Sequence, residues 1–148
     1  MEQKKMTRSK ETTILTVAGG VAFWIANFAI SRTPIAAEYR AALSISYFPM
    51  LLEALIGGLI IGFCVSYSLL RFFDKLPTKS PILKSIILSS IVLIVVTMLI
   101  EVPAKFFTPT NNALHYFLIG TTFNIIRIPV LGVAIGSVYR WLNRSERK

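Results

Sequence analysis

The sequence predicts an all-α fold, an integral membrane bundle of four transmembrane helices in one domain. Four segments of the 148-residue chain are nearly free of charge, and each has about the 20 residues needed to cross a hydrocarbon core of roughly 30 Å. These segments lack the polar stripe that a helix of a soluble protein turns toward water. The charged residues, 16% of the chain against 54% apolar residues, are instead clustered between the segments.

The predicted spans are 12–31, 47–70, 82–101 and 114–138, with short tails at 1–11 and 140–148. A shorter helix is expected between the first two spans, because Thr33 suits an N-cap and Pro34 suits the first helical position. Ile35, Tyr39 and Leu43 would then share one face of this helix. That pattern favours an interfacial helix lying at the outer membrane surface.

The basic residues are distributed unevenly between the two sides of the predicted bundle. Of the 16 Lys and Arg residues, only Arg32, Arg40 and Lys105 fall in the two outer loops, and Arg127 falls within a span. By the positive-inside rule, both termini are cytoplasmic and the protein lies in the cell membrane. A net charge of +9 is also common in nucleic-acid-binding proteins. Its clustering at span ends favours contact with anionic lipid headgroups, so no nucleic-acid partner is expected.

Two spans carry small residues at every fourth position. These are Ala54, Gly58 and Gly62 in the second span and Gly132 and Gly136 in the fourth. Such ridges let helix backbones approach closely, so we assign these positions to helix packing. Gly58 lies about 140° around the helix from Glu53, at roughly 100° per residue. The small-residue ridge and the carboxylate should therefore face different neighbours.

Glu53 and Arg127 are charged residues inside apolar spans. Even lenient insertion scales assign about 2.5–3.5 kcal/mol to one such residue near mid-span. A contact between the two would offset much of that cost, since an unpaired buried charge is the worst case. Three alternatives remain open: a structural pair that locks two helices, a pathway for a solute or protons, or separate side chains that extend toward the headgroups.

Other polar residues are expected near Arg127. Asn124 shares its helix face, and Asn27 and Glu101 lie toward the outer ends of the first and third spans. The candidate transport site is a polar pocket open to the outer side, comprising Glu53, Arg127, Asn124, Asn27 and Glu101. Pro129 removes one backbone hydrogen bond next to this site and predicts a kink. Interrupted helices near a charged residue are typical of transporter sites.

One offset along the chain relates the two halves of the sequence. It carries Glu53, Gly58 and Gly62 to Arg127, Gly132 and Gly136. One interpretation is a pair of tandem helical hairpins that run in the same direction through the membrane. The other is a chance match between apolar helices.

The sequence contains no catalytic constellation, metal-ligand spacing or phosphate-binding loop, so we expect no enzyme activity, no metal site and no cofactor. Cys64 is the single cysteine and has no partner within the chain. The leading functional hypothesis is a small transporter or exporter for a small solute or ion. Four helices enclose little volume, so we expect a homo-oligomer or another membrane-protein partner. The alternative is a non-transporting structural or assembly subunit of a membrane complex.

Overall fold

The computed structural model describes residues 7–145, and this part of the chain is helical and contains no strand. The helices are α1 (Arg8–Ser31), α2 (Pro34–Ala42), α3 (Tyr47–Phe72), α4 (Pro81–Val96), α5 (Val102–Phe106) and α6 (Ala113–Ser145). A 3-10 turn at Phe73–Lys75 follows α3, and a π-helical turn at Thr97–Glu101 joins α4 to α5. Four helical segments are long and apolar enough to cross a membrane: Arg8–Ser31, Tyr47–Lys75, Pro81–Phe106 and Ala113–Arg144. The all-helical class and the four long apolar helices are thus confirmed.

The first and last helices extend into the segments predicted as tails. α1 begins at Arg8 and α6 continues to Ser145. The Asn143 side-chain amide donates to Glu11 Oε1 at 3.2 Å and ties these two ends together. Arg144 in the last turn of α6 also suits the negative end of the helix dipole. Lys4, Lys5, Arg147 and Lys148, which contribute to the predicted charge asymmetry, lie outside the described residues.

The third long helix does not end at Glu101, as the sequence predicts, but continues through Pro103 to Phe106. Proline has no N–H and its ring crowds the carbonyl four residues earlier, which normally breaks a helix. Here the turn before it widens, and the Val102 N–H donates to the Thr97 carbonyl, five residues back. This π-helical turn lets the helix pass the proline. As a result Lys105 belongs to the bundle and not to a loop.

The long helices form two hairpins: α1 packs along α3, α4 packs along α6, and contact between α1 and α6 joins them. Helix backbones approach closely at the glycines. A Cβ atom on Gly62 would lie 2.9 Å from the Thr16 carbonyl oxygen of α1. On Gly136 it would lie 2.5 Å from Ile82 Cα of α4. Each glycine ridge therefore packs on the first helix of its own hairpin.

The molecule has an apolar exterior and several polar side chains in its interior. Its core contains Leu15, Phe23, Ala54, Val65, Leu69, Ile128, Leu131 and Ile135. Large apolar side chains also cover the outside, and Phe48, Leu99 and Trp141 are 80%, 71% and 71% exposed. Buried together with the core are Asn27, Glu101, Lys105 and Asn124. Charged residues are almost never buried in soluble proteins unless they are paired, so this group of side chains is the candidate functional site.

Candidate functional site

Arg127 is held by side chains from two helices. Its Nη1 donates to Asn27 Oδ1 of α1 at 2.5 Å. Its Nη2 donates to Asn124 Oδ1, one turn earlier on α6. The guanidinium carbon lies 5.1 Å from the centre of the Phe23 ring, within the range of a cation–π contact. Arg127 thereby links the two hairpins across the α1–α6 interface.

A carboxylate and a second cation continue the network. Asn124 Nδ2 donates to Glu101 Oε1 at 3.0 Å, and Lys105 Nζ lies 3.5 Å from Glu101 Oε2. The Asn124 amide therefore turns its oxygen to the arginine and its nitrogen to the carboxylate, the only orientation that satisfies both. We call Asn27, Glu101, Lys105, Asn124 and Arg127 the buried polar cluster.

Local helix geometry explains how the cluster assembles. Residues three or four positions apart lie on the same face of a helix. Asn124 and Arg127 have this relation on α6, and Glu101 and Lys105 have it across the π-helical turn and α5. Gly120, one turn before Asn124, leaves room for the carboxylate. A Cβ atom there would lie 2.6 Å from Glu101 Oε2 and 2.9 Å from the Tyr39 hydroxyl.

The cluster is unbalanced in charge and incompletely hydrogen-bonded. It contains two cationic side chains, Lys105 and Arg127, and one carboxylate, Glu101. Within the described part of the chain, Asn27 Nδ2, Arg127 Nε and Glu101 Oε2 are buried and have no hydrogen-bond partner. A buried polar group left unsatisfied costs about 1–3 kcal/mol. The network therefore retains an excess of positive charge, two unused donors and one carboxylate oxygen without a hydrogen bond.

A cavity of about 70 Å³ adjoins the cluster. Asn27 and Arg127 line it from α1 and α6, and Tyr39 and Arg40 line it from α2. Arg40 is also fixed by a hydrogen bond from its Nη1 to the Ser31 carbonyl at 3.0 Å. The helix α2 therefore closes one side of the cavity.

Tyr39 of α2 contacts side chains of the bundle, including Lys105 of the cluster. Its ring packs edge-on against Phe123 at 5.6 Å, and the Lys105 ammonium lies 5.2 Å from its centre. Burial raises the pKa of Tyr39 above its ordinary value, against the opposing effect of the neighbouring ammonium. The neutral hydroxyl that burial favours can donate a hydrogen bond.

The structure brings together four of the five residues predicted for the transport site: Asn27, Glu101, Asn124 and Arg127. It does not bring Glu53 to them. The Glu53 side chain is exposed on the outside of α3 and, among residues 7–145, forms no hydrogen bond or ion pair. The physical reason is the rotation of α3, because packing of the Gly58 face on α1 turns the carboxylate outward.

Sequence reasoning missed Lys105 of the cluster and two residues of the cavity wall, Tyr39 and Arg40. Lys105 stands four residues after Glu101, a spacing that would have indicated the pair had the helix been continued through Pro103. Nothing in the spacing of α2 distinguishes Tyr39, which is partly buried, from Ile35, which is 55% exposed on the same predicted face.

The other predicted positions lie outside the cluster. Ala54, Gly58, Gly62, Gly132 and Gly136 are buried in helix contacts. Pro129 lies within α6, which continues through it, and the kink remains a prediction. Cys64 is exposed on α3. No group of three or more His, Cys, Asp or Glu side chains in the described residues is arranged to hold a metal ion.

The opposite end of the bundle also contains a buried cation. Lys84 is 5% exposed, donates to the Phe73 carbonyl and lies 3.6 Å from the centre of the Phe73 ring. Arg8 similarly donates to the Leu70 carbonyl. Cations at the C-terminal end of a helix satisfy its last carbonyls and complement its dipole. Helix termination accounts for both contacts, and we assign this end of the bundle no binding role.

No protein-family model, curated protein or solved structure matches this chain.

Proposed function

We propose that this chain is an integral protein of the cell membrane that crosses the bilayer four times, with both termini in the cytoplasm. The apolar exterior and the polar interior support insertion, since lipid solvates apolar surface and leaves polar groups to pair within the bundle. The end that carries Arg8 and Lys84 is then cytoplasmic. The helix α2 lies at the outer surface, where Thr33 caps it by accepting from the Ala36 N–H at 3.3 Å.

We further propose that the protein transports a small solute or ion, and that the buried polar cluster is its site. The observation that carries this proposal is the unbalanced charge and unused donors of the cluster beside a cavity. Ionisable residues within a membrane span are typical of substrate and ion pathways. A π-helical turn at Glu101 and a proline near Arg127 add local irregularity, which is frequent at functional sites.

The second candidate is a structural or assembly subunit that transports nothing. One observation favours it: Arg127, Asn27 and Glu101 connect α1, α6 and the π-helical turn, as a purely structural lock would. Against it stands the incomplete hydrogen bonding, because a buried network that only stabilises a fold gains most when every member is satisfied.

A homo-oligomer is the proposed assembly. Glu53 lies on an exposed, mostly apolar face of α3 together with Gly57 and Cys64. A Cβ atom on Gly57 would meet nothing within 4 Å, so this face leaves room for a close helix neighbour. A second copy packed here would remove a membrane-embedded carboxylate from contact with lipid.

Flux measurements test the transport proposal. The protein is reconstituted in liposomes, and the movement of protons, chloride, sodium and potassium is followed separately. Arg127→Gln should lower the flux of the transported ion about tenfold or more, equivalent to at least roughly 1.4 kcal/mol of lost interaction. Arg71→Gln removes the same charge from an exposed position and should keep flux near wild type. Wild-type protein that moves none of these ions above protein-free liposomes would favour the structural subunit.

Crosslinking tests the oligomer. Cys64 is the single cysteine, so mild oxidation of membranes can join copies only through this position. A band of twice the monomer mass, absent in Cys64→Ser, is the expected result. If wild type remains monomeric under oxidation and also by light scattering in detergent, this face of α3 is not a contact between copies.

A further inference from the structure

We infer that the cavity beside the buried polar cluster binds one small monovalent anion of halide size. This inference rests on the proposed transport function, because it names the substrate class of the same site. Charge balance is the first argument. Lys105 and Arg127 outnumber the single carboxylate of the cluster, Glu101, by one positive charge. Arg40 in the cavity wall adds a further positive charge, so an anion in the cavity reduces an excess of positive charge.

The chemistry of the cavity wall is the second argument. The polar side chains that line it from three helices are those of Asn27, Ser31, Tyr39, Arg40 and Arg127, and all carry N–H or O–H donors. The Ser31 hydroxyl already donates to the Phe28 carbonyl. Within the described residues, the wall contains no carboxylate. Such a wall is suited to an acceptor of hydrogen bonds with negative charge, and unsuited to a metal cation.

The unused donors are the third argument. Asn27 is 4% exposed, and its Nδ2 has no acceptor among the described residues although its Oδ1 is held by Arg127. Arg127 Nε is also buried without an acceptor. Both residues line the cavity, so an anion there would have donors from two helices within the same wall.

The size of the cavity limits the ligand. About 70 Å³ is the space of roughly two water molecules at about 30 Å³ each in the liquid. The apolar part of the wall includes Ile30, Met50 and Phe123, whose side chains offer no hydrogen bond to the ligand. An anion must therefore leave most of its water behind, which favours bromide or chloride over the more strongly hydrated fluoride.

The direct test is calorimetry on the full-length wild-type protein in detergent. Sodium chloride or sodium bromide is titrated into protein held in sodium gluconate at constant ionic strength. The expected result is saturable binding with about one anion per chain. A signal that rises linearly without saturation, or that is the same when gluconate is titrated, would overturn the inference.

A matched pair of variants locates the site. Asn27→Leu removes the unused Nδ2 donor together with the Oδ1 that accepts from Arg127, and Asn143→Leu makes the same substitution at the other end of the bundle. Chloride affinity should fall about tenfold or more in Asn27→Leu, roughly 1.4 kcal/mol, and stay near wild type in Asn143→Leu. Equal affinity in all three proteins would place the anion elsewhere. If Asn27→Leu does not fold, the wild-type titration still tests the inference. Chloride should then bind at one site per chain, and bromide should compete with it.

The same measurements separate this inference from the transport proposal. Saturable chloride binding without flux of any of the four tested ions keeps the anion site and rejects the transport proposal. Flux of protons or a cation, without chloride binding, keeps transport and rejects the anion site.

Discussion

Glu53 and Glu101 are both carboxylates within long apolar helices, yet one is exposed and the other is buried. Glu101 is buried, accepts from Asn124 at 3.0 Å and lies 3.5 Å from Lys105. Glu53 is exposed on α3 and has no such contacts among residues 7–145. The difference shows that a charge in an apolar helix marks a site only when the helix is rotated so that the charge faces its neighbours.

The largest expected effect comes from removing the buried carboxylate. Glu101→Leu leaves Lys105 and Arg127 buried without a counter-charge, so we expect a loss of about 3–5 kcal/mol in the free energy of unfolding. Glu53→Leu removes a charge from an apolar exterior and should leave stability unchanged or raise it. Unfolding in mixed micelles, followed by the helical circular dichroism signal, measures both. Equal losses in the free energy of unfolding would contradict the difference between the buried Glu101 and the exposed Glu53.

The two faces of α3 can be compared through its glycines. Gly62→Ala would place a methyl group 2.9 Å from the Thr16 carbonyl oxygen and force the helices apart. The expected cost is about 1–3 kcal/mol. Gly57→Ala meets nothing within 4 Å and removes a flexible residue from a helix, for an expected gain of roughly 0.4–1 kcal/mol. The same micelle unfolding applies, and a destabilised Gly57→Ala would show that the outer face of α3 is already in close contact.

The buried cation at the other end of the bundle should matter less than the cluster. Lys84→Met removes a hydrogen bond to the Phe73 carbonyl and a cation–π contact, at an expected cost of about 1–2 kcal/mol. Lys79→Met, at an exposed position, should change stability by no more than about 0.5 kcal/mol. Ion flux should be unaffected in both variants. A flux defect in Lys84→Met but not in Lys79→Met would show that Lys84 also belongs to the transport pathway.

The smallest effect concerns the Tyr39 hydroxyl and appears only in alkaline solution. Because burial raises the pKa of Tyr39 in the folded state, its neutral form is favoured by folding. The contribution to stability is complete below the unfolded pKa of about 10 and is lost as pH rises through the raised folded pKa. The wild type should therefore lose stability relative to Tyr39→Phe above about pH 10, and the difference should be constant between pH 7 and 9. A difference that varies across that lower range would contradict the burial of this hydroxyl.

The parts of the fold that follow from local composition were predictable. Apolar run length yields the four long helices, and the Thr33-Pro34 pair yields the start of α2. The helix through Pro103 was not predicted, because a π-helical turn depends on how one proline is accommodated and has no composition of its own. The predicted site did not include Lys105, because the helix was predicted to end before Pro103.

The offset that relates the two halves of the sequence predicts the environments of some residues and not of others. The offset that relates Gly58 and Gly62 to Gly132 and Gly136 places each pair on the first helix of its own hairpin. The same offset relates Glu53 to Arg127, but Glu53 is exposed and Arg127 contacts Asn27 across the α1–α6 interface. The positions of small residues are thus similar in the two halves, and the environments of the charged residues are not.

The sequence alone determined that this chain is a bundle of four long apolar helices with a few polar residues inside it, because run length and composition are local properties. It also placed Asn27, Glu101, Asn124 and Arg127 among the candidates, because their polarity stands out in apolar segments. Which carboxylate accompanies Arg127 emerged only from the assembled helices. Glu53 and Glu101 are equivalent as residues, and the rotation of α3 on its glycine ridge turns one outward while the widened turn before Pro103 holds the other in the bundle.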